Sequence, residues 1–72
     1  MSEYVVIYER GRTGWGAYCP DLPGLGVAGA TREEVEQLIH EAIELHIESL
    51  RKHGEPVPPP TSAAGVVTVG VA

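Results

Sequence analysis

Residues 31–54 read TREEVEQLIHEAIELHIESLRKHG, and this stretch decides the fold. Its apolar residues recur at spacings of three and four, which gathers them on one face of an α-helix. They are Val35, Leu38, Ile39, Ala42, Ile43, Ile47 and Leu50. Thr31 and Glu34 have the spacing of a capping box, while Gly54 and Pro56 are residues typical of a helix end. The stretch therefore predicts one amphipathic helix.

Four other stretches are rich in β-branched, aromatic or small apolar residues and predict β-strands. They are residues 4–8, 15–19, 25–28 and 66–71. Turns rich in glycine and proline separate the first three, which predicts an antiparallel meander. The helix then crosses the sheet to a fourth strand parallel to the first. We expect a single α+β domain over residues 1–72, in the order β-β-β-α-β, with the helix packed on one face of the sheet.

The length of the chain limits the size of its core. A domain of 72 residues buries only about 60% of the surface of its unfolded chain. A single cysteine, Cys19, excludes an internal disulfide, and the Cys and His residues lack the spacing of zinc ligands. Oligomerisation is the remaining common source of stability. We therefore expect a homo-oligomer, a dimer or a tetramer, that binds no metal and no other cofactor.

The valine-rich stretch at residues 66–71 is the best candidate for the oligomer contact. It is apolar on both faces, and a small domain does not easily cover both faces of a terminal strand. An exposed apolar edge invites pairing with another chain. The predicted oligomerisation residues are Val66, Val67, Val69 and Val71. An equally plausible interpretation is an ordinary edge strand that the domain's own helix covers.

The charge of the chain disfavours binding to nucleic acids. Ten acidic and five basic residues give a formal net charge of −5, whereas proteins that bind phosphate backbones carry basic stripes. The chain shows no signal-peptide pattern and no apolar run of the ~20 residues that a membrane span needs. We expect a cytoplasmic protein that contacts neither nucleic acid nor membrane.

Six acidic residues lie on the predicted helix, mostly opposite its apolar side. They are Glu33, Glu34, Glu36, Glu41, Glu44 and Glu48. The commoner interpretation of such a pattern is a solvated face. The alternative is a docking surface for a basic protein, where complementary charge speeds encounter.

The sequence carries no pattern typical of an enzyme. Cys19 and His46 could in principle form a nucleophilic pair, but no third residue is evident to orient the imidazole. A lone cysteine is usually a small core residue, and His46 falls on the apolar side of the helix. Glu9 and Asp21 lack the companion carboxylates of a metal-dependent nuclease. We expect no catalytic activity.

Two motifs at a fixed separation resemble those of the HicB-like antitoxin domain. The first is Pro-Asp-Leu-Pro-Gly at residues 20–24, after a second strand that begins Trp-Gly-Ala-Tyr. The second is Gly29-x-Thr31-x-x-Glu34, which opens the helix. The resemblance covers approximately residues 3–71. It implies a partial ribonuclease-H-like fold without nuclease carboxylates, and association through the sheet.

The resemblance also implies a function. HicB-like proteins typically neutralise a small basic mRNA-cleaving toxin of a type II toxin–antitoxin system. Many carry a C-terminal DNA-binding domain, and we expect this chain to be a short stand-alone member without one. The alternative is an orphan oligomeric scaffold that has no toxin. The predicted partner-contact residues are Asp21, Leu22, Glu41, Glu44 and Glu48.

Overall fold

A computed structural model describes residues 2–71. It contains three β-strands followed by one long helix. The strands are β1 (Ile7–Arg10), β2 (Trp15–Tyr18) and β3 (Gly26–Gly29), and the helix is α1 (Arg32–Lys52). The predicted α+β class, the meander and the single helix are therefore confirmed.

The three strands form one antiparallel sheet in the order β1-β2-β3. Tyr8 pairs with Ala17, and Ala17 pairs with Val27, so these three residues occupy one row across the sheet. This row belongs to the face that the helix covers, because Ala17 forms the buried core with Val35 and Ile39 of α1. Trp15, Leu25 and Ile43 pack around that core. The core thus lies between the centre of the sheet and the first half of the helix.

The helix begins and ends as its sequence predicts. The backbone N–H of Glu34 donates to Thr31 Oγ1 at 3.2 Å, which satisfies one of the free N–H groups of the first turn. At the other end, Gly54 adopts a left-handed φ of 68°. The Gly54 N–H donates to the Arg51 carbonyl at 3.1 Å. Thr31 and Gly54 therefore set the limits of the element.

Gly29 allows the helix to begin close to the sheet. A Cβ atom added to Gly29 would lie 2.7 Å from Glu34 Oε1 and 3.1 Å from Val35 Cγ2. The Glu34 carboxylate ends a flexible, exposed side chain and can move aside, whereas Val35 is fully buried and would have to shift by a few tenths of an ångström. Gly29, two residues before the cap, therefore favours the close approach of the helix to β3.

The apolar side of the helix is only partly buried. Val35 and Ile39 are fully buried, whereas Ile43 and Ile47 are half-buried. His46, predicted to lie in the core, is also half-buried. Each strand has four residues and spans ~13 Å, while the 21-residue helix spans ~32 Å, so its second half extends past the strands.

The first strand starts later than the sequence predicts. Residues 4–8 were expected to form it, but the ladder begins at Ile7, which pairs with Tyr18. Continuing this register would place Val5 opposite Pro20, which has no N–H to donate. Residues 4–6 therefore precede β1 without a ladder partner.

The predicted fourth strand differs most from the structure. Among residues 2–71 the sheet has only three strands, and residues 66–71 have no regular secondary structure. Val66, Val67, Val69 and Val71 are 70–95% exposed. Within the described part of the single chain these residues have no neighbouring strand. Asp21, after β2, instead holds Thr61 and Ser62, which precede them.

Candidate functional site

The exposed side of α1 carries an acidic face, which we define as Glu33, Glu36, Glu41, Glu44 and Glu48. All five side chains are exposed. Two of them have basic side chains nearby on the same helix: Arg32 Nε lies 3.7 Å from Glu36 Oε1, and His40 Nε2 lies 3.2 Å from Glu44 Oε1. Five carboxylates outnumber these two side chains, so the face is negative.

An open groove lies beside the acidic face, between the helix and the edge of the sheet at β1. We call it the β1 groove, and its volume is about 870 Å³. Its apolar lining comes from the sheet edge, the helix and the chain after the helix. These residues are Tyr4, Val6, Tyr8, Ile39, Ile43, Ile47 and Val57. Charged groups of the helix, among them Glu44, Glu48 and Arg51, also line it.

The chain that follows the helix is fixed to the far end of the sheet by the Asp21 carboxylate. Its Oδ2 accepts hydrogen bonds from the N–H groups of Thr61 and Ser62, at 3.1 and 3.0 Å. Its Oδ1 accepts from the hydroxyls of the same two residues, at 3.0 and 2.8 Å. We call this cluster the tail latch. A further bond, from the Tyr4 hydroxyl to the Pro58 carbonyl at 2.5 Å, holds the segment just before it.

The tail latch lowers the pKa of Asp21. The backbone N–H and the hydroxyl of Ser62 lower it most, desolvation opposes them next, and the hydroxyl and N–H of Thr61 lower it further. The four donors stabilise the charged carboxylate, and desolvation does not cancel their effect. The Asp21 carboxylate is therefore committed to the chain's own tail.

Acid is expected to open the tail latch. Because the pKa of Asp21 is lowered on folding, the latch stabilises the chain fully above the carboxyl's ordinary pKa of 3.8, and this stabilisation is lost as the pH falls through the lowered folded value. The protection of the Thr61 and Ser62 amides, measured as the exchange rate relative to the intrinsic rate at each pH, should therefore persist somewhat below pH 3.8 and be lost only at lower pH. Loss of this protection already well above the ordinary pKa would contradict the latch.

The structure separates the predicted contact residues into two groups. Glu41, Glu44 and Glu48 are exposed and share one helix face, so they are available to a partner. Leu22 is fully buried inside the turn after β2, and its N–H donates to the Cys19 carbonyl at 3.1 Å. The single chain therefore does not present Leu22 at its surface. Asp21 is occupied by the tail latch.

Sequence reasoning missed both the β1 groove and the tail latch. The alternation of Tyr4, Val6 and Tyr8 was a signal for one apolar strand face, but it did not show that the helix leaves this face open. Nothing in the local sequence connects Asp21 with Thr61 and Ser62, which lie 40 residues further on.

The described residues offer no catalytic or metal-binding arrangement. Cys19 is a free, buried thiol. Within residues 2–71, no group of three or more His, Cys, Asp or Glu side chains is placed to hold a metal ion. In the same part of the chain, α1 is too polar to cross a bilayer.

Sequence comparison with known proteins identifies the family of this chain. The family model described as the HicB_like antitoxin of bacterial toxin–antitoxin systems matches residues 4–69. The UPF0150 protein ssr1765 of Synechocystis is 48% identical over 59 residues, which cover 81% of this chain and 75% of the relative. The UPF0150 protein Ta0767 of Thermoplasma acidophilum is 40% identical over 57 residues, which cover 78% of this chain and 83% of the relative. No solved structure matches the chain significantly. The match over nearly all of its length shows that this chain belongs to the HicB-like antitoxin family.

Proposed function

We propose that this chain neutralises a small, basic, mRNA-cleaving toxin in the cytoplasm by binding it through the acidic face of α1. Family membership supports an antitoxin role and a toxin partner of some kind. The observation that carries the proposal is the exposure of Glu41, Glu44 and Glu48 on one side of the helix. The antitoxin acts here by covering the toxin, with no catalytic step of its own.

The charge pattern supports a basic partner. A toxin that cleaves mRNA must attract phosphates, so its active surface carries lysine and arginine side chains. A rigid helix that presents several carboxylates at fixed spacing can cover such a surface and compete with the RNA.

Reversing the charge of the acidic face tests the proposal. The variant Glu41→Lys, Glu44→Lys, Glu48→Lys is compared with a control in which Glu3, Glu9 and Glu55 are changed to lysine. The three control residues are exposed, lie outside α1 and give the same change in net charge. Both variants are mixed with the product of the neighbouring gene, which the proposal predicts to be a small basic protein, and association rates are measured at several salt concentrations.

The helix variant is expected to associate at least about tenfold more slowly at low salt, with a flatter salt dependence, because steering depends on the local charge. The association rate of the control variant should fall much less. Equal losses in the two variants would show that only the net charge matters. Failure of the wild-type chain to bind this protein, or to relieve its toxicity in cells, would contradict the antitoxin role.

A second candidate function is an orphan oligomeric scaffold. The specific observation in its favour is the row of exposed valines at residues 66–71, which is unusual for a surface that stays in water. The two functions differ in what the chain binds in cells. Purification from its own host with only further copies of itself, and with no basic protein, would favour the scaffold.

A further inference from the structure

The sheet ends at β1 on one side. β1 is the outer strand of the order β1-β2-β3, so within residues 2–71 one side of its backbone has no neighbouring strand. Residues 4–6 continue this open edge without a ladder partner. The helix lies over β2 and β3 and leaves the β1 groove beside the edge. A strand added here would gain both a hydrogen-bonding partner and an apolar surface.

The tail at residues 66–71 has the complementary properties. It contains four valines and no charged residue. Val66, Val67 and Val71 are at least 84% exposed, and Val69 is 70% exposed. Its length of ~20 Å when extended matches the edge formed by residues 4–10, which is ~23 Å long. The single chain therefore carries an open edge and a free strand of similar length.

The tail latch directs this strand away from the chain's own groove. Val57 still lines the groove, and Pro58 is bonded to Tyr4 beside it. Thr61 and Ser62 are then held by Asp21, which follows β2. The segment thus passes from the β1 side toward the middle strand of the sheet, and the valines follow beyond that point.

We propose that the tail of each chain adds to the open β1 edge of a second copy and fills its β1 groove. In this arrangement the fourth strand predicted from the sequence exists, but it is supplied by the partner copy. A strand places alternate side chains on opposite faces, so Val67, Val69 and Val71 point together into the groove while Val66 and Thr68 face the other side. Exchange of identical elements is a common route to symmetric dimers, and strand addition at a sheet edge is a common mode of recognition.

The tail suits the groove as an uncharged, apolar segment. Two chains of net charge −5 repel each other, and their acidic faces cannot pack together. Residues 66–71 carry no charge, so the copies can meet through them without bringing further carboxylates together. Glu36, Glu44 and Glu48 line one wall of the groove beside its apolar residues, whereas Glu33 and Glu41 lie outside it. The exchange therefore leaves part of the acidic face uncovered, and it stands without the proposed antitoxin function.

A cross-linking experiment between two variants tests the exchange. One chain carries Val69→Cys in the tail, the other carries Ile47→Cys in the groove, and the two are mixed, equilibrated and treated with a short bismaleimide. Cys19 is 2% exposed and does not react in the folded chain, so the wild type serves as the background. The matched control replaces the groove variant with Leu45→Cys, which is on the same helix, 65% exposed and absent from the groove lining.

We expect a covalent heterodimer from Val69→Cys with Ile47→Cys and none from Val69→Cys with Leu45→Cys. Equal yields from the two pairs would overturn the proposal. A chain carrying both Val69→Cys and Ile47→Cys that links only to itself would also overturn it, because the tail would then occupy its own groove. Linkage of the groove cysteine to a bound basic protein, with the tails free, would assign the groove to that partner instead.

Sedimentation of tail variants supplies a second measurement that does not depend on cross-linking. Val69→Asp is expected to raise the dimer Kd by roughly 100-fold or more, since two carboxylates would enter apolar grooves. Leu45→Asp should leave the dimer Kd unchanged. Because residues 66–71 lie outside the helix and the sheet, Val69→Asp leaves the monomer folded, and circular dichroism verifies this. A wild-type chain that sediments as a monomer at micromolar concentrations would overturn the exchange.

Discussion

Replacing Ile39 with alanine is expected to lower the free energy of unfolding by about 2–5 kcal/mol. Ile39 is 1% exposed and packs with Ala17 and Val35 at the point where helix and sheet meet. Removing three carbon atoms there leaves a cavity that the two layers cannot close, because the backbone of the sheet is fixed by its ladders. A domain of 72 residues has a total stability of about 4–11 kcal/mol, so this single change removes a large part of it.

Leu45→Ala is the matched control for this prediction. It is also an aliphatic residue of α1, but its side chain is 65% exposed, and its loss should change the stability by no more than about 0.5 kcal/mol. Urea unfolding followed by Trp15 fluorescence and by circular dichroism measures both variants. Several protein concentrations are needed, because assembly adds to the apparent stability. Similar losses in the two variants would mean that the core is elsewhere.

Replacing Asp21 with alanine is expected to weaken self-association by at least about tenfold in Kd. The variant removes all four hydrogen bonds that hold Thr61 and Ser62. The tail then samples many directions, including that of its own groove, and the entropy of ordering it must be overcome when the dimer forms. Folding of the strands and the helix should not change, because Asp21 contributes nothing to the core between them.

Two measurements distinguish an effect of Asp21→Ala on the tail from an effect on the folded sheet and helix. Hydrogen exchange of the Thr61 and Ser62 amides should accelerate in Asp21→Ala, while amides of α1 stay protected. Analytical ultracentrifugation gives the dimer Kd. Glu41→Ala, an exposed acid on α1 outside both the latch and the groove lining, removes the same charge and should affect neither readout. A dimer as strong as the wild type, despite rapid exchange at Thr61 and Ser62, would show that the latch does not direct the tail.

The elements that depend on neighbouring residues could be predicted from the sequence. The helix was predictable because the spacing of its apolar residues, such as Val35 and Ile39, fits a 3.6-residue period, and because Thr31 and Gly54 mark its two ends. The meander was predictable because its turns are short and contain glycine and proline. The error at the start of β1 has a local cause that the sequence also contains, namely Pro20 opposite the expected strand.

The features that depend on contacts between residues far apart in the sequence could not be predicted. Asp21 is a turn-former in the sequence, and only the folded chain brings it to Thr61 and Ser62. Leu22 lies between the turn residues Asp21 and Pro23 and was expected at the surface, but its side chain is fully buried. The valines at residues 66–71 have the composition of a strand, yet composition does not say which chain supplies the neighbouring strand. By contrast, the exposure of Glu41, Glu44 and Glu48 could be predicted, because helical spacing alone places them opposite the apolar side of the helix.

The order of the three strands has a consequence for how the molecule forms in time. β1, β2 and β3 pair only with their neighbours in sequence, and α1 packs back onto the two strands that precede it. Such a topology has a low contact order, so each nascent chain can reach its sheet-and-helix body quickly and alone. The tail takes no part in that step. Folding of this body is therefore independent of concentration, whereas the proposed exchange of tails requires two chains to meet, so the concentration of exchanged dimers would rise more steeply than the concentration of chains.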